Sequence, residues 1–304
     1  MLAASAARRD DDRRVPVTVV VVTRDRRERL LASLDRVLSL PARPHVVLVD
    51  NASSDGTVAA VRRAFPGVEV IALGENLGAA GRNAGVAQAR TPFVAFSDDD
   101  SWWGPGALAH AARVMALRPR LAVLAARILV GPDERPDPTC EAMRRSPLPR
   151  PPDSRLPAIL GFVACGAVVR RDAFLAAGGF HPAFGVGGEE DLLALDLAAA
   201  GWQLAYDDDL VAHHHPAPHR DERGRRRLEA RNALRVAWLR LPAGLACRET
   251  AHVLRAGRHR PGTLPGTVDA AREWRWIKEQ RRPVPPDVAA ARRLLLDAGG
   301  EGIS

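Results

Sequence analysis

The sequence predicts an α/β protein with a Rossmann-like front half, and three observations carry that prediction. Short apolar runs rich in β-branched residues (Val17 to Val22, Val46 to Val49, Val68 to Leu73) alternate with stretches of helical periodicity. The first run, Val17 to Val22, is continuous rather than alternating, as in strands covered on both faces. Polar residues gather where the runs stop, at Thr23-Arg24-Asp25-Arg26, at Asp50-Asn51 and at Asp98-Asp99-Asp100. In an open α/β sheet, ligands sit outside the carboxyl ends of the strands, so these stops mark the candidate site.

Residues 1–14 are polar and predict a disordered N-terminus with no secretory signal. After the first strand, Leu30, Leu31, Leu34, Val37 and Leu38 recur at helical spacing and make a crossover helix, closed by Pro41 and Pro44. The second strand ends at Asp50. Ser53, Ser54, Asp55 and Gly56 are turn and cap residues. Val58, Val61, Ala64 and Phe65 then mark one face of a second helix, and the third strand follows. This β-α-β-α-β order implies parallel strands with right-handed crossovers. Residues 74–85, GENLGAAGRNAG, lead into a helix predicted over 79–89. Phe93 to Phe96 reads as a buried strand. Residues 131–157 are proline-rich and polar, and predict a long loop placed to act as a lid. Beyond Pro216 come helical segments, and residues 258–304 give no assignable pattern.

The first strand runs into TRDRRERL without a glycine, so it offers no dinucleotide fingerprint, and there is no phosphate-binding P-loop. The 3 cysteines, Cys140, Cys165 and Cys247, have no paired spacing. That argues against disulfides and zinc-cysteine sites and suits a reducing cytoplasm. No run is long enough to span a bilayer. Residues 217–304 hold 19 Lys and Arg against 10 Asp and Glu, a net of +9, which leaves −1 for residues 1–216. A basic tail points to an anionic membrane surface, an anionic ligand or nucleic acid, or is simply a solvated helical face.

Three adjacent carboxylates repel one another, so a cation is expected at Asp98-Asp99-Asp100. Oxygen donors at a strand end suit Mg²⁺ or Mn²⁺, which keep positions open for phosphate oxygens. A solvated acidic turn is the alternative. Asp50 suits a base or ribose contact. Arg82, on the first turn of its helix, suits a phosphate, or else is an exposed arginine beside a tight helix-sheet contact. Trp102 and Trp103 read as a sugar-stacking pair or as core, and Cys165 reads as core. Asp207-Asp208-Asp209 reads as a solvated turn.

Taken together, VTVVVVTRDRRERLLASL, VVLVDNASSDGT and ENLGAAGRNAGVAQARTPFVAFSDDD resemble, in order and spacing, family 2 glycosyltransferases of the GT-A fold. AVVRRDAFLAAGGFHPAFGVGGEEDLLALDLAAAGW resembles the acceptor-side signature of that family, and LVAHHHP completes the series. The resemblance covers roughly residues 15–240. It implies a nucleotide-sugar half at 15–130, an acceptor half at 158–216, and a basic, mainly helical region at 217–304.

It also implies an enzyme moving a sugar, with inversion, from a UDP-, dTDP- or GDP-linked donor to an acceptor hydroxyl. The acceptor would be a glycan, a lipid-linked saccharide or a small molecule. Thr23, Asp25 and Asp50 would line the nucleotide base, and Arg82 would contact the nucleotide. Of the acid triplet, Asp98 and Asp99 would meet the donor, with Asp98 at the ribose or the metal, and Asp100 would hold the ion. With the alignment anchored on Gly201-Trp202, the family's catalytic acid pair falls on Glu189-Glu190. Glu190 is then the base, with Asp191 the fallback. His213 would be the metal or diphosphate ligand, with His214 next. TRDR stands where the family commonly has an aromatic and an asparagine, and Asp196 stands where it often has arginine. Other nucleotide-dependent transferases and non-catalytic binders share the architecture. A nucleotidyltransferase would want a glycine- and lysine-rich first loop, which is missing. Arg225, Arg226, Arg227, Arg231, Arg235 and Arg240, interleaved with Leu228, Leu234, Val236, Trp238 and Leu239, resemble basic amphipathic tails that hold enzymes at the inner face of a membrane. No nucleic-acid partner is expected.

Overall fold

The computed structural model describes residues 15–150, 154–216, 222–258 and 260–299. The predicted N-terminal tail, residues 1–14, lies outside the described residues. Strands β1 (Val17–Thr23), β2 (His45–Asp50), β3 (Glu69–Ala72) and β4 (Phe93–Asp98) form the parallel half of one sheet, in the order β3-β2-β1-β4. Helices α1 (Arg27–Leu38), α2 (Thr57–Ala64) and α3 (Arg82–Gln88) make the crossovers. Val17, Val19, Val20, Val47, Leu48 and Val49 are fully enclosed, which explains their continuous apolar runs. Each such side chain contributes about 1.5–3 kcal/mol on burial. Glycine at 85 lets α3 press onto the sheet, because a Cβ there would lie 2.4 Å from Val20 Cγ1.

The second half is mixed. The sheet continues from β4 through β8 (Ala167–Arg170), β6 (Leu121–Val130) and β9 (Gln203–His214) to β5 (Ser101–Trp103). β8 is antiparallel to both β4 and β6, β9 runs parallel to β6, and β5 returns antiparallel along β9. α4 (Ala107–Ala116) covers this half. The segment predicted as one long loop contains a short strand, β7 (Arg135–Pro136), and a helix, α5 (Pro138–Arg144). Asp137 caps that helix by accepting from Thr139 N at 2.9 Å, and Cys140 and Met143 bury its inner face. Residues 207–209 are not a turn but lie in β9, where 208–210 bulge. Asp207 is buried and bonds His110 at 2.8 Å.

α6 (Arg171–Ala176) leads to α7 (Glu189–Ala199), which is apolar all round because it is buried all round. Leu193 and Leu197 face the sheet core. Leu192 and Leu195 join a second core with α8 (Glu222–Arg240), α9 (Ala243–Gly257), α11 (Trp274–Gln280) and α12 (Pro286–Asp297). α10 (Thr263–Arg272) packs along α8. Asp196 of α7 forks onto Arg240 of α8, and this ion pair accounts for the acid at that position. Among the described residues no helix is long and apolar enough to cross a membrane.

Candidate active site

Because β1, β2 and β4 are parallel, their carboxyl ends meet at one edge. Thr23 lies opposite Asp50, and Val22 lies opposite Asp98. The chain then turns through Asp99 and Asp100 into β5, with Asp98 N donating to Ser101 Oγ at 2.7 Å. The turn drives Asp99 and Asp100 inward, and both are buried. Their charges are answered by two arginines. Arg82 pairs with Asp98. Arg26 Nη1 lies 3.0 Å from Asp99 Oδ1 and 3.3 Å from Asp100 Oδ2. Thr23 Oγ1 donates to Asp99 Oδ2 at 3.1 Å. Burial still prevails at Asp99 and pushes its carboxyl up to about 6. A cavity of about 390 Å³ opens beside Asp99 and Asp100, lined by Arg29, Arg36, Trp102 and His215.

The two predicted base-side acids differ in what they leave unused. Asp25 is exposed, at a left-handed φ of 51°, and its Oδ1 accepts from Ser54 N at 2.7 Å and Ser54 Oγ at 3.2 Å. It ties the loop after β1 to the loop after β2. Asp50 is buried, and its Oδ2 accepts from Ser53 N at 2.9 Å. Its Oδ1 is buried with no hydrogen-bond partner, which leaves a ready acceptor for a ligand.

Across the edge, α7 opens with Glu189, Glu190 and Asp191, where the helix dipole favours acids. Half-buried Glu190 accepts from Ala164 N at 3.4 Å. Burial raises its carboxyl, opposed by hydrogen bonds and by Arg82. Glu189 is 2% exposed, and burial followed by the charge of Glu190 pushes it up to about 9. Asp191 turns away. The charges acting on it are Arg292 of α12, then Glu190 and Glu249 of α9, and burial lifts it to about 7. Arg82 feels Asp98 first, then Glu189 and Glu190, so it connects the triplet with the helix acids.

The histidines correct one expectation. β9 pairs Ser101 with His214 and Trp102 with His213. His213 stacks on Trp102, with ring centroids 5.3 Å apart and planes 9° apart, and its Nδ1 meets Glu134 at 2.9 Å. His214, not His213, turns to the triplet, with Nε2 at 3.4 Å from Asp100 Oδ1. Neighbours on a strand face opposite ways, so only one of the two can reach the acids. Trp102 also lies under Arg36, 3.8 Å from its ring centroid, and lines the cavity, whereas Trp103 is buried and belongs to the packing.

Asp100 and His214 are the residues that would hold an ion here, through oxygen and nitrogen donors and no sulfur. That suits Mg²⁺ or Mn²⁺ with substrate phosphates completing the coordination. Among the described residues no three acid, histidine or cysteine side chains form a closed cage.

Further residues take part whose roles no local sequence pattern reveals. Arg26 was visible only as an odd residue in the first loop. Asn83 bonds both the N–H and the C=O of Phe180, at 2.9 and 2.8 Å, and so fixes the acceptor segment to α3. Ala164-Cys165 forms a buried turn beside the site. Burial raises the Cys165 thiol well above its ordinary value, and Asp98, Arg82, Asp100 and Glu190 all act on it. Asn232 of α8 aims its amide at the carbonyls of Phe184, Val186 and Gly187, immediately before the acidic helix start.

This combination of a parallel half-sheet ending in an acid triplet, a mixed second half and an acid-headed helix is that of the GT-A glycosyltransferases. The description Glycosyl transferase family 2 matches residues 18–176, just over half the chain, and the chain belongs to that family of enzymes. It is 28% identical over 226 residues to the N-acetylglucosaminyl-diphospho-decaprenol L-rhamnosyltransferase of Mycobacterium tuberculosis, covering 62% of this chain and 72% of the relative. Three solved structures share the fold. The mannosyltransferase PcManGT from Pyrobaculum calidifontis, in complex with GDP-Man and Mn²⁺, has a TM-score of 0.56 at 21% identity, covering 95% of this chain and 87% of that one. GalNAc-T7 with UDP, GalNAc and Mn²⁺ has a TM-score of 0.60 at 14% identity, covering 87% and 56%. S. aureus TarS has a TM-score of 0.57 at 20% identity, covering 92% and 53%.

Proposed function

We propose that this glycosyltransferase moves a sugar, with inversion, from a nucleoside diphosphate sugar to an acceptor hydroxyl, assisted by Mg²⁺ or Mn²⁺. One observation carries the reading: Arg82 pairs with Asp98 of the triplet and also feels the charges of Glu189 and Glu190, so the donor-side and acceptor-side acids share one buried arginine. Asp50 supplies the free acceptor atom for the nucleoside, and Asp98, Asp100 and His214 face the diphosphate. The Mn²⁺ named with two of the solved structures supports the choice of ion. The relative's name joins L-rhamnose to a lipid-linked acceptor, so a lipid-linked saccharide is the first acceptor to test.

In this reading Glu190 takes the proton of the acceptor hydroxyl as that oxygen bonds to the anomeric carbon. The bond from that carbon to the diphosphate oxygen breaks on the opposite face, and its electron pair leaves with the diphosphate. Asp100 and His214 would hold a divalent ion, which when bound would supply Lewis-acid stabilisation of that leaving group. Glu189, held neutral by burial, keeps a second negative charge away from the base.

The test is Glu190→Gln, which keeps size and loses basicity. Turnover with a lipid-linked acceptor should fall roughly 10²- to 10⁴-fold, with nucleotide affinity by calorimetry unchanged. Asp191→Asn should stay active, because Asp191 faces Arg292. An inactive Asp191→Asn beside an active Glu190→Gln would overturn the assignment of the base.

A further inference from the structure

The sequence suggests a membrane-facing helix at residues 222–240, yet that helix is taken up inside the protein. Leu234, Val236, Ala237 and Leu239 are buried. Arg227 forks onto Asp269 and Arg235 onto Glu273, Arg231 bonds the Phe184 carbonyl, and Arg240 holds Asp196. Its apolar face and most of its cations already have protein partners.

The next two helices present the opposite arrangement. α10 lies against α8 through small residues. A Cβ on Gly266 would meet the Arg227 carbonyl oxygen at 2.2 Å, and one on Gly262 would meet that of Arg223 at 2.5 Å. This contact fixes which way α10 faces. Leu264 and Val268, one turn apart, point outward at 69% and 44% exposure, and Leu254 at the end of α9 is 42% exposed. Leu254 and Leu264 line a concavity of about 550 Å³ together with Arg223, Arg258, Arg260 and Pro261. Large apolar side chains beside exposed arginines, with no acid among the described residues that line the concavity, match an anionic lipid surface: the leucines enter the acyl boundary and the guanidinium groups of Arg223 and Arg260 meet phosphates.

We propose that the face formed by the end of α9 and by α10, centred on Leu254, Leu264 and Val268 and rimmed by Arg223 and Arg260, docks the enzyme on an anionic membrane. It goes beyond the catalytic reading and does not depend on the sugar transferred. The same helix that borders the patch at Arg223 holds the acceptor loop at Asn232. Nine residues of helix separate the two, about 14 Å along the axis.

The experiment is sedimentation of the full chain with phosphatidylcholine vesicles, with and without phosphatidylglycerol. Native protein should partition at least roughly tenfold more strongly to the anionic vesicles and be released by high salt. The double variant Leu264→Asp with Val268→Asp should lose that binding, while its melting temperature and nucleotide affinity stay native. Arg223→Glu with Arg260→Glu should lose the preference for anionic lipid. Equal partitioning to both vesicles, or unchanged binding by the leucine-valine variant, would overturn the proposal. So would a dimer in sedimentation velocity that Leu264→Asp dissociates, because the face would then join two copies. Nucleotide affinity is read separately, so failure here leaves the catalytic reading standing, and the reverse also holds.

Discussion

In the proposed mechanism, Arg26 occupies the position that a divalent ion would contest. Its guanidinium lies against Asp99 and Asp100, whose mutual repulsion it relieves. A cation arriving at Asp100 has to weaken that contact. Arg26→Ala should therefore bind Mn²⁺ in the absence of nucleotide roughly tenfold more tightly, read from the free-ion paramagnetic signal. Unchanged affinity would mean that the arginine and the ion do not compete. Glu189 gives a second expectation. Its carboxyl ionises near 4.5 in the unfolded chain and near 9 in the folded one. Between those values the folded state keeps a proton that the unfolded state has lost. The stabilisation is complete below the unfolded value and disappears as pH rises through the folded one. Glu189→Gln should gain melting temperature relative to native protein as pH moves from about 5 to about 9. A constant offset would rule this out. Single acids were legible at this scale because each stands where a strand stops. The choice between His213 and His214 was not, because the bulge at 208–210 resets the alternation that leads up to them.

At the scale of elements, the device that matters is the hold of α8 on the segment before α7. Asn232 is 1% exposed and faces three carbonyls of residues 184–187, while Arg231 and Arg235 bond Phe184 and Ala183. Asn232→Ala would leave buried carbonyls unpaired and should destabilise the protein by about 1–3 kcal/mol. It should also lower turnover while donor affinity stays native, since the segment carries Glu190 and not the nucleotide. An intact rate with altered nucleotide affinity would contradict this placement. The parallel strands were readable from their continuous valine runs, because burial on both faces leaves no polar positions. The helix in the supposed long loop was missed although Asp137-Pro138-Thr139 is a helix start, since the surrounding prolines dominated the reading. The partners of Asn232 lie more than forty positions away, and no local pattern encodes such a contact.

For the whole molecule, the basic C-terminal region is a structural member rather than an appendage. Its helices share a core with Leu192, Leu195 and Phe184 of the acceptor side, and Arg281 closes the end of α8 on the carbonyls of Trp238 and Leu241. From sequence alone, the +9 charge of residues 217–304 fits either a ligand- or membrane-facing surface or a solvated helical face. Much of it serves internal contacts, while the face at α9 and α10 combines exposed arginines with exposed leucines. Composition reports how many charges there are, whereas topology decides which of them face solvent.

One contact between the halves has a consequence for anyone redesigning the enzyme. Gly78 sits at φ +59° against the Gly185 carbonyl oxygen, 2.4 Å from where a Cβ would stand, and Ala79 N donates to that oxygen at 2.7 Å. The segment that follows the third strand is thereby stitched to the segment that introduces the acceptor helix. Acceptor segments cannot be exchanged between relatives as free-standing cassettes. A chimera has to keep glycine at 78 and a carbonyl positioned as at 185, or bring both sides of the seam from the same parent.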